Sequence, residues 1–141
     1  MSVSILIISH GDIGTSLIST AKQMIGDSTL KIKALNANID LDTNIEATLD
    51  ELYTKASSLV KEIDQGDGVL ILTDLFGSTP SNIARRLYDK NNISIVTGVN
   101  LSMVVRILNS PDLNLEAITE KACSGGIDGI KIREFHDGGI G

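Results

Sequence analysis

Residues 3–9 read Val-Ser-Ile-Leu-Ile-Ile-Ser, a short run that is apolar almost without interruption. At this length, and so rich in β-branched residues, it predicts a strand buried on both faces. The run gives way to the polar turn His10-Gly11-Asp12. Beyond it Ile13, Leu17, Ala21, Met24 and Ile25 recur at helical spacing, and Gly26 can end that helix in a left-handed conformation. Residues 30–35 set Leu30, Ile32 and Leu35 among lysines and predict a second strand. Asp42 or Thr43 can then cap a helix whose apolar stripe is Ile45, Leu49, Leu52, Ala56, Leu59, Val60 and Ile63. Gly66 and Gly68 close that unit.

Residues 69–73 form the most apolar strand of the chain, followed by a polar turn over 74–79 and a helix that Pro80 opens and that runs to about Lys90. A fourth strand is predicted over 93–97 and a helix over 101–108. Pro111 marks a break before a last helix over 115–123, which Gly125-Gly126 would end. Residues 127–135 set Ile130, Ile132 and Phe135 among charged residues, a pattern that suits a half-exposed edge strand. Residues 1–135 are expected to make one domain and residues 136–141 a flexible tail. Such alternation of strand and helix predicts an α/β fold, a mainly parallel sheet with helices on both faces and right-handed crossovers. Chemistry in such folds gathers at the carboxyl ends of the strands, which directs attention to residues 10–12, 74–82 and 97–100.

Composition narrows the function classes. With 3% aromatic residues and no Trp, the core must be aliphatic, and platforms for stacking bases or flavins are scarce. A net charge of −6 argues against nucleic acid and acidic membranes, whose phosphates are bound by clustered Lys and Arg. Cys123 is the single cysteine, so no intrachain disulfide is available, and it is expected to be a small core residue. No apolar run approaches ~18 residues and no basic-then-apolar leader opens the chain. A reducing cytoplasm without membrane insertion is the expected setting.

His10 stands where the first strand runs out, beside Gly11, which leaves room and backbone freedom next to the imidazole. A lone histidine there can equally be a surface or capping residue. Asp74, ending the third strand, changes the weighing if strands one and three are neighbours. Its carboxylate could accept the Nδ1 hydrogen of His10, fix the tautomer and leave the Nε2 lone pair free to attack phosphorus. Taken alone, Asp74 would serve as well as a carboxylate near a helix N-terminus. Gly77, Ser78 and Thr79 add hydroxyls and backbone N–H groups at the start of a helix, a ready place for a phosphoryl group, although a plain capping turn uses similar residues. His136 lies in a Gly-rich end with no strand to place it and reads as a solvated tail residue. Arg85 and Arg86 face different directions on their helix, so at most one can border the His10 site.

The segments ILIISHGDIGTSL, VLILTDLFGSTPSNIARRL and VTGVNLSMVVRIL resemble, in order and spacing, the signature blocks of the mannose-type phosphotransferase system enzyme IIA family. The most specific part is an apolar strand ending in Asp74, followed by Phe76, Gly77, Ser78, Thr79, Pro80 and Asn82; the GVN at residues 98–100 is a second match. The resemblance implies that His10 accepts phosphate at Nε2 from the phosphocarrier HPr and passes it to a IIB component, with no cofactor or metal. It makes Asp74 the orienting carboxylate and gives phosphoryl contacts to Gly11, Gly77, Ser78 and Thr79. Thr79 stands where relatives often have Ser and keeps the hydroxyl. It also implies a homodimer in which the segment at 127–135 is exchanged between subunits. Many members continue into a IIB domain whereas this sequence stops at Gly141, so a separate IIB partner, or a purely regulatory phospho-sensor role, is expected.

Rival readings are weaker. The phosphoryl donor subunit of dihydroxyacetone kinase uses a similar histidine, but its third-strand block usually reads Met-Gly-Ser-Ala. A receiver domain needs an acidic pair after the first strand to hold Mg²⁺, where this chain has Ser9, His10 and Gly11 with only Asp12 nearby.

Overall fold

The computed structural model describes residues 2–39, 44–136 and 139–140. In chain order the elements are β1 (Ser4–Ser9), α1 (Ile13–Ile25), β2 (Ile32–Asn36), α2 (Ile45–Ile63), β3 (Val69–Thr73), α3 (Thr79–Leu87), β4 (Ile93–Thr97), α4 (Leu101–Leu108) and α5 (Leu115–Asp128). Two short strands, β5 (Phe135–His136) and β6 (Gly139–Ile140), pair with each other antiparallel and not with the main sheet. That sheet is four-stranded, entirely parallel and ordered β2-β1-β3-β4.

Why these segments are strands is visible in their burial. Every residue of β1 and of β3 is buried, so both strands need apolar side chains on both faces. One face of the sheet carries Ile5, Ile7, Leu70 and Leu72 against Ala21 of α1, Val104 and Ile107 of α4, and Ile118 of α5. The other carries Leu6, Ile8, Val69 and Ile71 against Leu52, Ala56 and Ile63 of α2 and Ile83, Ala84 and Leu87 of α3. Fully burying an aliphatic side chain of this size contributes roughly 1.5–3 kcal/mol, so these inner strands anchor the fold. Because the chain leaves β1 toward β2 on one side and toward β3 on the other, the order reverses between β1 and β3. A crevice at such a reversal is where open α/β sheets hold their chemistry.

The expected caps fall differently at one place. Asp42 and Thr43 lie outside the described residues, and it is Asn44 whose Oδ1 accepts the Ala47 N–H at 3.2 Å to start α2. Gly26 does end α1, with φ +83° and its N–H donated to the Lys22 carbonyl.

The C-terminal third departs from expectation. Gly125 and Gly126 lie inside α5 rather than beyond its end. A Cβ at Gly125 would sit 2.7 Å from Arg106 Cβ, and one at Gly126 2.9 Å from Met103 Cε, so the pair exists to let α5 approach α4. Helix α5 therefore consumes Ile127 and Asp128, and residues 129–134 form no strand. Ile127, Ile130 and Ile132 are exposed, the last at 93%. Cys123 is exposed too, contrary to the small-core-residue expectation, although Ile118 and Ala122 of the same helix are buried. Arg86 leans over the Tyr53 ring at 4.1 Å and reaches Asp50 at 3.4 Å, which fixes it to α2.

Candidate active site

Parallel pairing places Ile8 opposite Thr73, so β1 and β3 end at the same level. The residues that follow, His10 and Asp74, are consequently neighbours across the crevice. His10 Nδ1 lies 2.8 Å from Asp74 Oδ2, and the same oxygen accepts the His10 backbone N–H at 2.9 Å. One carboxylate oxygen thus fixes both the backbone and the ring of His10. Since a carboxylate only accepts, Nδ1 carries the hydrogen and Nε2 keeps its lone pair. The imidazole is 44% exposed while the Asp74 side chain is 11% exposed, so the ring is reachable and its partner is not.

Burial pushes the Asp74 carboxyl up. Hydrogen bonds from the His10 backbone and ring, with the charge of that ring, outweigh burial and hold it below the usual aspartate range. Its second oxygen, Oδ1, is buried without a partner among the described residues, and so is the Thr73 hydroxyl just before it.

The backbone around His10 is equally constrained. Gly11 adopts φ +52°, a left-handed conformation that favours glycine, and donates its N–H to Asn38 Oδ1 at 2.9 Å. The His10 carbonyl accepts from Ile13 N–H at 3.3 Å, and Ser9 Oγ accepts from Gly14 N–H at 2.9 Å. Asn38 was not apparent from sequence as a site residue. Its only signal is an Asn shortly after the end of a strand neighbouring the first, which is uninformative until the strand order is known.

Gly77, with φ +81°, and Ser78 lead into α3, where Ser78 is the N-cap without a side-chain capping bond. The Ser78 hydroxyl instead donates to the Leu75 carbonyl, and Thr79 opens the helix with Pro80 in its first turn. Leu75 and Phe76, directly after Asp74, are 62% and 82% exposed, and Ile13 on the far side of His10 is 43% exposed. Next to it Asp12, Ile13, Ser16, Leu17, Thr20 and Leu101 line an open groove of ≈ 330 Å³ between α1 and α4. The side chain of His136 lies outside the described residues. No described helix is long and apolar enough to cross a membrane.

Similarity to known proteins runs along the same segments. The chain is 27% identical over 135 residues to the mannose-specific EIIAB component of the PTS system of Escherichia coli K12, covering 93% of this chain and 39% of that protein. It is 30% identical over 122 residues to the transcriptional regulatory protein LevR of Bacillus subtilis, covering 82% of this chain and 12% of that one. The fold matches the mannose/sorbose-specific IIA subunit of the phosphotransferase system from Enterococcus faecalis with a TM-score of 0.75, at 21% identity and over 96% of this chain and 98% of that one. A family described as the fructose IIA component of the PTS system matches residues 4–122, and the chain belongs to that family, EIIA-man.

Proposed function

We propose that this chain is a cytoplasmic phosphoryl carrier of the sugar phosphotransferase system, taking phosphate from HPr onto His10 and giving it to a IIB component. One observation carries the reading: His10 Nδ1 is 2.8 Å from a buried carboxylate while the ring stays accessible. Nε2 attacks the phosphorus of the donor's phosphohistidine. A new N–P bond forms as the donor's N–P bond breaks, and its electron pair returns to the donor ring. The hydrogen on Nδ1 stays in place, so His10 becomes an imidazolium whose charge Asp74 stabilises. Gly11 leaves space beside the ring, and Gly77, Ser78 and Thr79 at the start of α3 contact the phosphoryl oxygens. The apolar rim of Ile13, Leu75 and Phe76 suits a protein partner that excludes water during transfer. A homodimer fits the one-sided pairing of β4 together with the exposed Ile130 and Ile132, which a second copy can cover by strand exchange.

Incubation with phosphoenolpyruvate, enzyme I and HPr tests the central step. One phosphoryl group per chain should be incorporated, labile to acid and stable to alkali. His10→Ala should abolish it and His136→Ala should leave it intact; label kept in the first variant would place the nucleophile elsewhere. Similarity to LevR over 82% of the chain favours a second reading, in which His10 is phosphorylated as a regulatory signal and the group is not passed on. Transfer from the phosphorylated chain to IIB proteins separates the two.

A further inference from the structure

Both peptide groups flanking His10 are held by side chains from the segments that follow the neighbouring strands. On the β3 side, Asp74 Oδ2 accepts the His10 N–H at 2.9 Å. On the β2 side, Asn38 Oδ1 accepts the Gly11 N–H at 2.9 Å. Asn38 is itself fixed, because its own N–H bonds Asn36 Oδ1 at 2.9 Å and the adjoining Ala37 N–H bonds the Ser9 carbonyl at 2.8 Å. The alternative anchor for the His10–Gly11 peptide is the bond from Ile13 N–H to the His10 carbonyl, and at 3.3 Å that is long. Glycine resists rotation of this peptide less than any other residue. The acceptor on Asn38 therefore supplies the short bond that restrains the His10–Gly11 peptide beside the imidazole.

We propose that Asn38 is a positioning residue for His10, locking the Gly11 turn so that Nδ1 meets Asp74 and Nε2 faces outward. The proposal rests on the reading of His10 as phosphoryl acceptor for its consequence in rate, but not for its geometry. The oxygen of Asn38 must face Gly11, because only an acceptor can meet an N–H. Asn38 is exposed and packs into neither core cluster, so its replacement removes a bond without opening a cavity.

The His10 ring ¹⁵N shifts at neutral pH, which report the share of the Nδ1–H tautomer, supply the test. The native chain should show mainly Nδ1–H. In Asn38→Ala that share should fall and phosphorylation by HPr should slow about 5-fold, the loss of one hydrogen bond's worth of ordering, with the fold retained by circular dichroism. Asn38→Asp keeps an oxygen for the Gly11 N–H and should restore the tautomer. The proposal is overturned if Asn38→Ala leaves the ring shifts unmoved, or if Asn38→Asp disturbs them as far as Asn38→Ala does. If the native chain takes no phosphate from HPr, the carrier reading fails while the ¹⁵N comparison still decides the role of Asn38.

Discussion

Strands β3 and β4 have the same length and similar aliphatic content, yet they sit in different surroundings. β3 is paired on both edges and buried at all five positions, whereas among the described residues β4 is paired only to β3 and, apart from Ile93, is half-buried. The residue following β3 is Asp74, which grips His10; the residues following β4 are Gly98, Val99 and Asn100, whose amide caps α4 by accepting the Met103 N–H at 2.9 Å. The inner strands thus fix the His10–Asp74 geometry to within hydrogen-bond tolerance. The outer strand ends in plain helix capping and offers an unfinished edge, with exposed isoleucines on the segment that follows α5 nearby. Precision is placed where neighbours constrain the backbone on both sides, and an open edge is left where they do not.

The largest expected effect lies at the inner pair. Asp74→Asn keeps the shape of the side chain but removes the charge that stabilises an imidazolium, and its amide can present NH₂ instead of oxygen to Nδ1. Phosphorylation of His10 by HPr should slow by about 10²-fold, the low end for loss of a positioned acid–base partner, with the fold retained by circular dichroism. If the variant accepts phosphate as fast as the parent, Asp74 is only a carboxylate near the α3 N-terminus and the inner pair has no catalytic role.

At the outer edge the expected effect is on assembly. Sedimentation of the full chain at micromolar concentration should give a dimer, and a chain ending at Gly129, which keeps α5 whole, should give a monomer. A full-length monomer would leave the β4 edge without the partner proposed for it. Phosphorylation of the shortened chain should change by less than that of Asp74→Asn, since no residue of the His10 site lies beyond Gly129.

Where the sequence was legible follows the same division. The boundaries of α1, β3, β4 and α4 could be read to the residue, since a buried aliphatic run or a helical stripe flanked by Gly, Pro or Asn admits few alternatives. His10 and Asp74 could be matched because each ends a buried strand. The C-terminal region misled, since Gly125-Gly126 reads as a helix terminator when only local conformation is weighed, whereas a close crossing with Arg106 and Met103 demands small residues there. That contact is invisible without the packing of α5 on α4. The alternation of Ile130 and Ile132 with charges is a strand pattern that finds no strand to pair with among the described residues. Asn38 was hidden for a related reason, because its role depends on β2 lying beside β1.

The smallest effect expected is on stability against pH, and it too separates the inner pair from the surface. The Asp74 carboxyl is held below the usual aspartate range in the folded chain by its bonds to His10, so folding favours its ionised form. That contribution is present above the unfolded value, about 3.9 for an aspartate, and is lost as pH falls through the folded value, because the unfolded chain takes up the proton first. Urea unfolding of the parent and of Asp74→Asn, followed from pH 6 downward, should show the parent losing stability relative to the variant only below about pH 4. Asp128, an exposed residue 3.4 Å from Arg106, gives the surface control. Surface pairs of this kind contribute about 0–1 kcal/mol, so Asp128→Asn should track the parent closely. A constant difference between parent and Asp74→Asn across the whole range would mean that the His10 bonds do not favour the ionised carboxyl, and the inner pair would lose its electrostatic distinction from the edge.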